Sequence, residues 1–469
     1  MNSAYRRLDK TLLDQLIAIV GGAGVSTSPE DLDKYSHDEV AELHFEPEAV
    51  VKARSAEEVS RILRLAQEAN FPVTPRGAGY GLSGGCVPVL GGVVLSLEKM
   101  NRIVEIDEEN LMATVEPGVI TGDLHRAVEA LGLFYPPDPA SLDSCTIGGN
   151  IAENAGGPRA VKYGVTRHYV CGLEAVMASG EIVRMGGKLV KDVTGYDLMQ
   201  LLIGSEGTLA VVTRIVLRLI PLPKERVDLL VPFNDFLSAS RAVAGIIKSR
   251  IVPTAMEFMG RDSILAVEKL SGKEVPFHEA EAHLLITLDG NDKTAIDAEV
   301  ERVGELCLAN GAVDVLIADS AKMRDKLWAA RRQIIEALQH LSPDRIMDTQ
   351  DLCVPRARIP ELLARIREIA DRHAMKIVCF GHAGDGNVHV NVIKNMPDAE
   401  WKAKKDPVAE DMYRAALALG GAITGEHGIG LTRKGYLPLA MGPAQIALMR
   451  RVKEAFDPAG ILNPGKIFA

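Results

Sequence analysis

The chain has 469 residues, 47% of them apolar and 25% charged, with a formal net charge of -10. This is the profile of a globular protein long enough for several domains and a sizeable core. It argues against a nucleic-acid partner, which wants a basic face, but leaves room for a local basic pocket that takes a small anion.

The N-terminal stretch "MNSAYRRLDKTLLDQL" has no apolar h-region, and no apolar run approaches the ~18 residues of a membrane span, so no signal peptide or transmembrane segment is expected and the expected location is the cytoplasm. "SAEEVSRILRLAQEAN" (55–70) predicts a helix. Ser55 and Glu58 have capping-box spacing, and Val59, Ile62, Leu63 and Ala66 share one face. "FPVTPRGAGYGLSGGCVP" then breaks every helical pattern. "GGVVLSL" and "IVEIDEENLMATVEPGV" predict strands joined by a polar turn, and 121–133 a helix ending at Gly132. The stretch from "PPDPASLDSC" to "RAVKYG" reads as long and irregular, which is usually functional. "YVCGLEAVMASGEIVRMG" predicts a hairpin turning at Ser179-Gly180. The strand run "GTLAVVTRIVLRLIPLP" stops at Pro221 and Pro223, and a domain boundary is placed there. Beyond it, strands and helices alternate in the manner of a two-layer α+β sandwich. A helix is expected over 323–341, and another near 411–420 that leads into "GGAITGEHGIG". The six cysteines (Cys86, Cys145, Cys171, Cys307, Cys353, Cys379) form no Cys-x-x-Cys pair, so neither a disulfide framework nor an iron–sulfur or zinc-ribbon site is expected.

Gly79, Gly81 and Gly84 spell G-x-G-x-x-G, but a dinucleotide fingerprint needs a helix to open directly after the glycines. Here Gly85, Pro88, Gly91 and Gly92 follow, so a Rossmann site is rejected. Small residues in succession still let backbone N–H groups converge on anionic oxygens. A second loop of this character, "TIGGNIAENAGG", spans 146–157. Two such loops around one pyrophosphate would hold a dinucleotide without a helix dipole.

"PRGAGYGLSGG", "PPDPASLDSCTIGGNIAENAGGPRAVKYGV" and "LLIGSEGTLAVVT" resemble the flavin-binding segments of the vanillyl-alcohol oxidase / p-cresol methylhydroxylase superfamily. Their order and spacing resemble its branch of FAD-linked D-2-hydroxyacid dehydrogenases, which includes the glycolate oxidase large subunit and D-lactate dehydrogenases. The resemblance runs from about residue 35 to the end. It implies an α+β fold: a p-cresol methylhydroxylase-type FAD-binding domain (1–220), an α+β substrate or cap domain (221–410), and a C-terminal segment (411–469) returning to the flavin. It implies FAD contacts at Arg76, Gly77, Gly79, Gly81, Gly84, Thr146, Gly149, Asn150, Glu206 and Gly207. Some relatives tether the flavin through a His in the first loop; this loop has none, so non-covalent FAD is expected.

"GHAGDGNVHVN" (381–391) sets two histidines around a glycine turn. Strand alternation points His389 and Asn391 one way and Val388, Val390 and Val392 the other, and His382 can fold back over the same space. Two imidazoles need a third ligand to make a metal site, and "TGEHGIG" offers Glu426 and His427. Carboxylate plus two imidazoles suits Zn, Mn or Fe(II) with positions left open. The resemblance implies His382, His389 and Glu426 as ligands of one divalent metal, and His427 as the base that takes the hydroxyl proton of a 2-hydroxy acid as hydride leaves for the flavin. "LWAAR" resembles the family's substrate helix, which makes Arg331 a carboxylate anchor; Asn391 matches a polar substrate contact. Relatives that favour a second, distal carboxylate carry a Lys where this chain has Thr349, and a Thr where it has Ile335. A small acid, D-lactate or glycolate, is therefore expected over D-2-hydroxyglutarate. The alternatives are a D-2-hydroxyglutarate dehydrogenase, a non-catalytic flavin electron-transfer subunit, and a metal hydrolase that would leave both glycine loops unexplained. No quinone or cluster motif is recognisable, so electrons are expected to leave through an electron-transferring flavoprotein or an iron–sulfur subunit; the oligomeric state is left open.

Overall fold

The computed structural model describes residues 5–468. They form two compact units. One comprises the chain up to Gly156, Val165–Leu222 and everything from Glu426 on; the other comprises Gly157–Gly164 and Pro223–Gly425.

The first unit holds two principal sheets. A four-stranded sheet runs in the order Val25–Ser26, Ala49–Lys52, Val93–Ser96, Val73–Arg76, with the last three strands parallel. Helices Lys10–Val20 and Ala56–Ala69 pack on it. Ser55 caps the second helix by accepting from Glu58 N (3.2 Å), while the Glu58 carboxylate reaches one residue further back, to Arg54 N (2.7 Å). Val59, Ile62 and Leu63 are fully buried, each stabilising the unit by roughly 1.5–3 kcal/mol. The second sheet is antiparallel, in the order Ile103–Asp107, Met112–Val115, Ala210–Arg218, Val170–Met177, Ile182–Gly186. Its last two strands are the hairpin expected around Ser179-Gly180, with Gly180 at φ +79°.

The second unit is built on one seven-stranded antiparallel sheet. Its order is Leu316–Ile317, Glu225–Phe233, Ala282–Gly290, Ala255–Gly260, Lys376–His382, Asn387–Ile393, Met347–Cys353. One face is covered by helices Arg261–Ser271, Ala321–Arg332 and Ile334–Gln339, with Phe380, Val378, Met259, Trp328 and Ile334 in the shared core.

Three local expectations are corrected. The stretch after Cys145 is not irregular throughout: Thr146 accepts from Gly149 N and opens the helix Ile147–Glu153. Its two glycines masked the short helix. The helix expected over 323–341 is two, broken at Gln333, whose ψ of -2° departs from helical values. The helix near 411–420 begins at Asp398 and runs through Pro407. Proline removes one backbone donor there, but buried Trp401, Val408, Met412 and Tyr413 hold both halves against the unit. Among the described residues no helix is long and apolar enough to cross a membrane.

Candidate active site

Four adjacent strands of the second unit converge on one polar patch in an apolar face. Strand register places Glu257 opposite His382, and Asp351 opposite His389. His389 and Phe380 are also cross-strand partners. Strand alternation puts Asn391 on the face of His389. All of these side chains are buried.

The two imidazoles face each other through Nε2 atoms 3.3 Å apart, with ring planes nearly perpendicular at 83°. On the far side of each ring stands a buried carboxylate. His382 Nδ1 lies 2.6 Å from Glu257 Oε1, and His389 Nδ1 lies 3.6 Å from Asp351 Oδ1. At hydrogen-bond distance the Glu257 carboxylate selects the His382 tautomer with the proton on Nδ1, which leaves its Nε2 lone pair for a cation; the more distant Asp351 favours the same tautomer of His389 by charge alone. With both Nε2 atoms unprotonated, their lone pairs repel at this distance unless a positive charge lies between them. Two edges of metal–nitrogen bonds of ~2.05 Å in tetrahedral geometry would put the nitrogens about 3.3 Å apart. The histidine pair therefore fits a divalent ion. Asp351 also accepts from Asn387 Nδ2 (2.7 Å), Thr424 Oγ1 (2.8 Å) and Gly425 N (2.8 Å). It thus fixes the backbone directly before Glu426 in the chain.

Arg331 is 94% buried, in the last turn of its helix, with the guanidinium over the Phe380 ring at 4.6 Å. Its Nη2 lies 2.6 Å from Glu257 Oε2. Burial pushes the Glu257 carboxyl up, but the neighbouring His382 and Arg331 outweigh it and hold the group below its ordinary range. Asn391 accepts from Thr349 Oγ1 (3.1 Å) and donates to Val378 O (3.3 Å). Ile335 packs into the apolar core.

In the first unit the two glycine loops meet. A Cβ on Gly77 would stand 2.5 Å from Thr146 Oγ1, so only glycine permits this approach. Gly79 and Gly84 have φ of +86° and +75°. No helix follows Gly84, as the rejection of a Rossmann site requires. Arg76 folds beneath its own loop, donating to His37 O (2.7 Å). Asn150 donates to Thr121 Oγ1 (2.7 Å). Glu206 holds the left-handed region at φ +54°, followed by Gly207 at +66°. Its carboxylate accepts from Ile429 N (2.8 Å) and Gly430 N (2.6 Å), and its carbonyl from Asn463 Nδ2 (2.8 Å). Burial raises the Glu206 pKa against these two donors. Two abutting loops whose glycines leave the backbone accessible fit an extended dinucleotide. Glu426 and His427 belong to this unit, with His427 Nε2 3.9 Å from Glu426 Oε1.

Sequence reasoning missed three acids. Glu257 is the single charge in "TAMEFMG", an otherwise apolar strand, and that isolation was the available signal. Asp351 lay in the quoted "DLCVP" but had no visible partner. Glu153, in "IAENAGG", is half-buried beside Glu206; desolvation and then the Glu206 charge push its carboxyl well up.

Comparison with known proteins supports FAD binding. The model of the C-terminal domain of FAD-linked oxidases matches residues 222–467, and a FAD-binding domain matches 47–186. Glycolate oxidase subunit GlcD of Bacillus subtilis is 42% identical over 462 residues, covering 98% of this chain and 97% of the relative. D-lactate dehydrogenase of Anaerostipes hadrus is 40% identical, covering 93% and 92%. D-2-hydroxyglutarate dehydrogenase of Stutzerimonas stutzeri is 36% identical, covering 98% and 99%. Among solved structures, p-cresol methylhydroxylase with substrate bound superposes with a TM-score of 0.79 at 19% identity, over 97% of this chain and 96% of that one, which supports the fold. The chain belongs to the FAD-linked D-2-hydroxyacid dehydrogenases of the vanillyl-alcohol oxidase / p-cresol methylhydroxylase flavoprotein superfamily.

Proposed function

We propose that this protein oxidises a small D-2-hydroxy acid, D-lactate or glycolate, to the 2-keto acid, using non-covalent FAD and one divalent metal ion. The observation that carries this reading is the His382–His389 pair, with facing nitrogens 3.3 Å apart and a carboxylate behind each ring. Bound FAD supplies a hydride acceptor, and a bound Zn, Fe or Mn ion a Lewis acid that acidifies the substrate hydroxyl.

The residues that would hold the ion are His382, His389 and Glu426. Arg331 binds the substrate carboxylate and so fixes the orientation of C2. His427, whose intrinsic pKa lies near neutrality, takes the hydroxyl proton on a ring nitrogen. Asn391, held by Thr349, adds a polar contact. The glycine loops with Thr146, Asn150 and Glu206 hold FAD, the unit built on the seven-stranded sheet binds substrate, and the segment from residue 411 brings the third ligand and the base. Thr349 and Ile335 supply no cation for a second carboxylate, which supports a small acid. The name of the Bacillus subtilis relative, a subunit, supports a protein electron acceptor, an electron-transferring flavoprotein or an iron–sulfur subunit.

The test is anaerobic. Metal-replete protein is mixed separately with D-lactate, L-lactate, glycolate and D-2-hydroxyglutarate while the visible flavin band is followed. Bleaching by D-lactate or glycolate, lost on chelation and in His427→Ala, is the expected result. A kcat/KM for D-2-hydroxyglutarate above that for D-lactate would overturn the substrate assignment.

A further inference from the structure

Glu257 is a fully buried carboxylate that serves two partners at once. It stands in the middle of strand Ala255–Gly260, paired in register with His382. One oxygen faces His382 Nδ1 at 2.6 Å and the other faces Arg331 Nη2 at 2.6 Å. Arg331 lies on the Phe380 ring, so its position is set from two sides. Its Nε–H, also buried, has no hydrogen-bond acceptor among the described residues. The guanidinium fork is thus anchored at one corner, with donor capacity left over.

We propose that Glu257 is a positioning residue that couples the metal site to the carboxylate anchor. Its first oxygen fixes the tautomer and rotamer of His382, so that Nε2 faces His389 and the ion. Its second oxygen holds one corner of the Arg331 fork and leaves the remaining donors for the substrate carboxylate. Arg331 cannot swing toward an incoming acid without loosening the group that orients His382. The strand pairing makes this link rigid, because Glu257 and His382 are neighbours across a ladder and not loop residues. This inference rests on reading His382 as a ligand and Arg331 as an anchor.

The test is Glu257→Gln, which keeps shape and an acceptor oxygen but removes the charge. Zn affinity of the flavin-loaded protein is measured by competition with a chromophoric chelator, alongside KM and kcat for D-lactate. The expected result is a metal dissociation constant raised by about 10- to 100-fold, with KM raised at least tenfold and flavin content unchanged. A purely structural Glu257 would lower Tm while leaving metal affinity in the folded protein within twofold of wild type, and that result overturns the proposal. If Glu257→Gln does not fold, the double variant Glu257→Gln/Arg331→Met, which leaves no buried arginine uncompensated, is compared with Arg331→Met alone. Equal metal affinity in those two overturns the proposal as well. His382→Ala separates the underlying reading: Zn affinity unchanged in that variant means His382 is not a ligand, and the proposal falls with it.

Discussion

Arg331 shows what one residue can demand of its surroundings. A buried guanidinium that meets Glu257 with one nitrogen while stacking on Phe380 uses planarity and several donors together. Lysine offers one point charge and cannot serve Glu257 and a substrate carboxylate at the same time. Arg331→Lys is expected to raise KM for D-lactate by about tenfold or more, equivalent to ~1.4 kcal/mol. An unchanged KM in steady-state kinetics would remove Arg331 from substrate binding. At this scale the sequence was informative where a residue type was out of place among glycines, as with His382 and His389. It was mute about Glu257 and Asp351, because their partners come from other strands and a pairing register cannot be read from a single strand.

The hairpin that carries the two histidines depends on its turn. Gly386 has φ +97°, and a Cβ there would stand 1.9 Å from Val354 O, a backbone atom that cannot step aside. Gly386→Ala is expected to cost at least about 2 kcal/mol of stability and to weaken metal binding, read by denaturant unfolding and chelator competition. Wild-type metal affinity in the variant would mean that the turn does not set the spacing of the imidazoles. Elements with a strong period, such as the helix Ala56–Ala69 and the hairpin Val170–Gly186, were legible because one apolar face or one turn decides them. The helix Ile147–Glu153 was not, since Gly148 and Gly149 disfavour it locally; Ile147 and Ile151, both fully buried, override that preference. The same competition explains the helix that passes through Pro407.

For the molecule as a whole, the buried charges of the flavin unit make stability depend on pH. Burial pushes the Lys466 ammonium down to about 8, against about 10.4 for a free lysine. The folded state therefore binds fewer protons than the unfolded chain between these values, and stability from this group rises with pH across that window. Below pH 8 the cost of burying the charge is fully present. Between pH 8 and 10 the buried thiols Cys86, Cys307 and Cys379, pushed up by burial, contribute the opposite slope, so the test is the difference: the denaturation midpoint of flavin-free Lys466→Met is expected to fall more steeply with pH than that of the wild type. Equal slopes in the two proteins would show that Lys466 keeps its proton throughout. The family and its cofactor were visible in three glycine-rich segments, because a flavin's pyrophosphate constrains backbone more than side chains. The return of the C-terminal segment was implied by the family resemblance alone, since no local pattern records contacts with distant segments.

That return also orders events in time. Asn463 donates to the carbonyl of Gly85 (2.7 Å), Lys466 to that of Val87 (2.5 Å), and Leu462 pairs with Val73 beside them. The glycine loop is thus clasped by residues that follow Pro223–Gly425 in the chain, and that stretch of 203 residues is synthesised in between. At ~5–20 residues per second, a ribosome needs roughly 10–40 s to cross that stretch. The loop waits unclasped for all of it, so flavin capture is expected to follow the synthesis of that stretch. A chain stopped before Gly460 is expected to purify colourless, and a yellow one would show that the loop organises itself without its clasp.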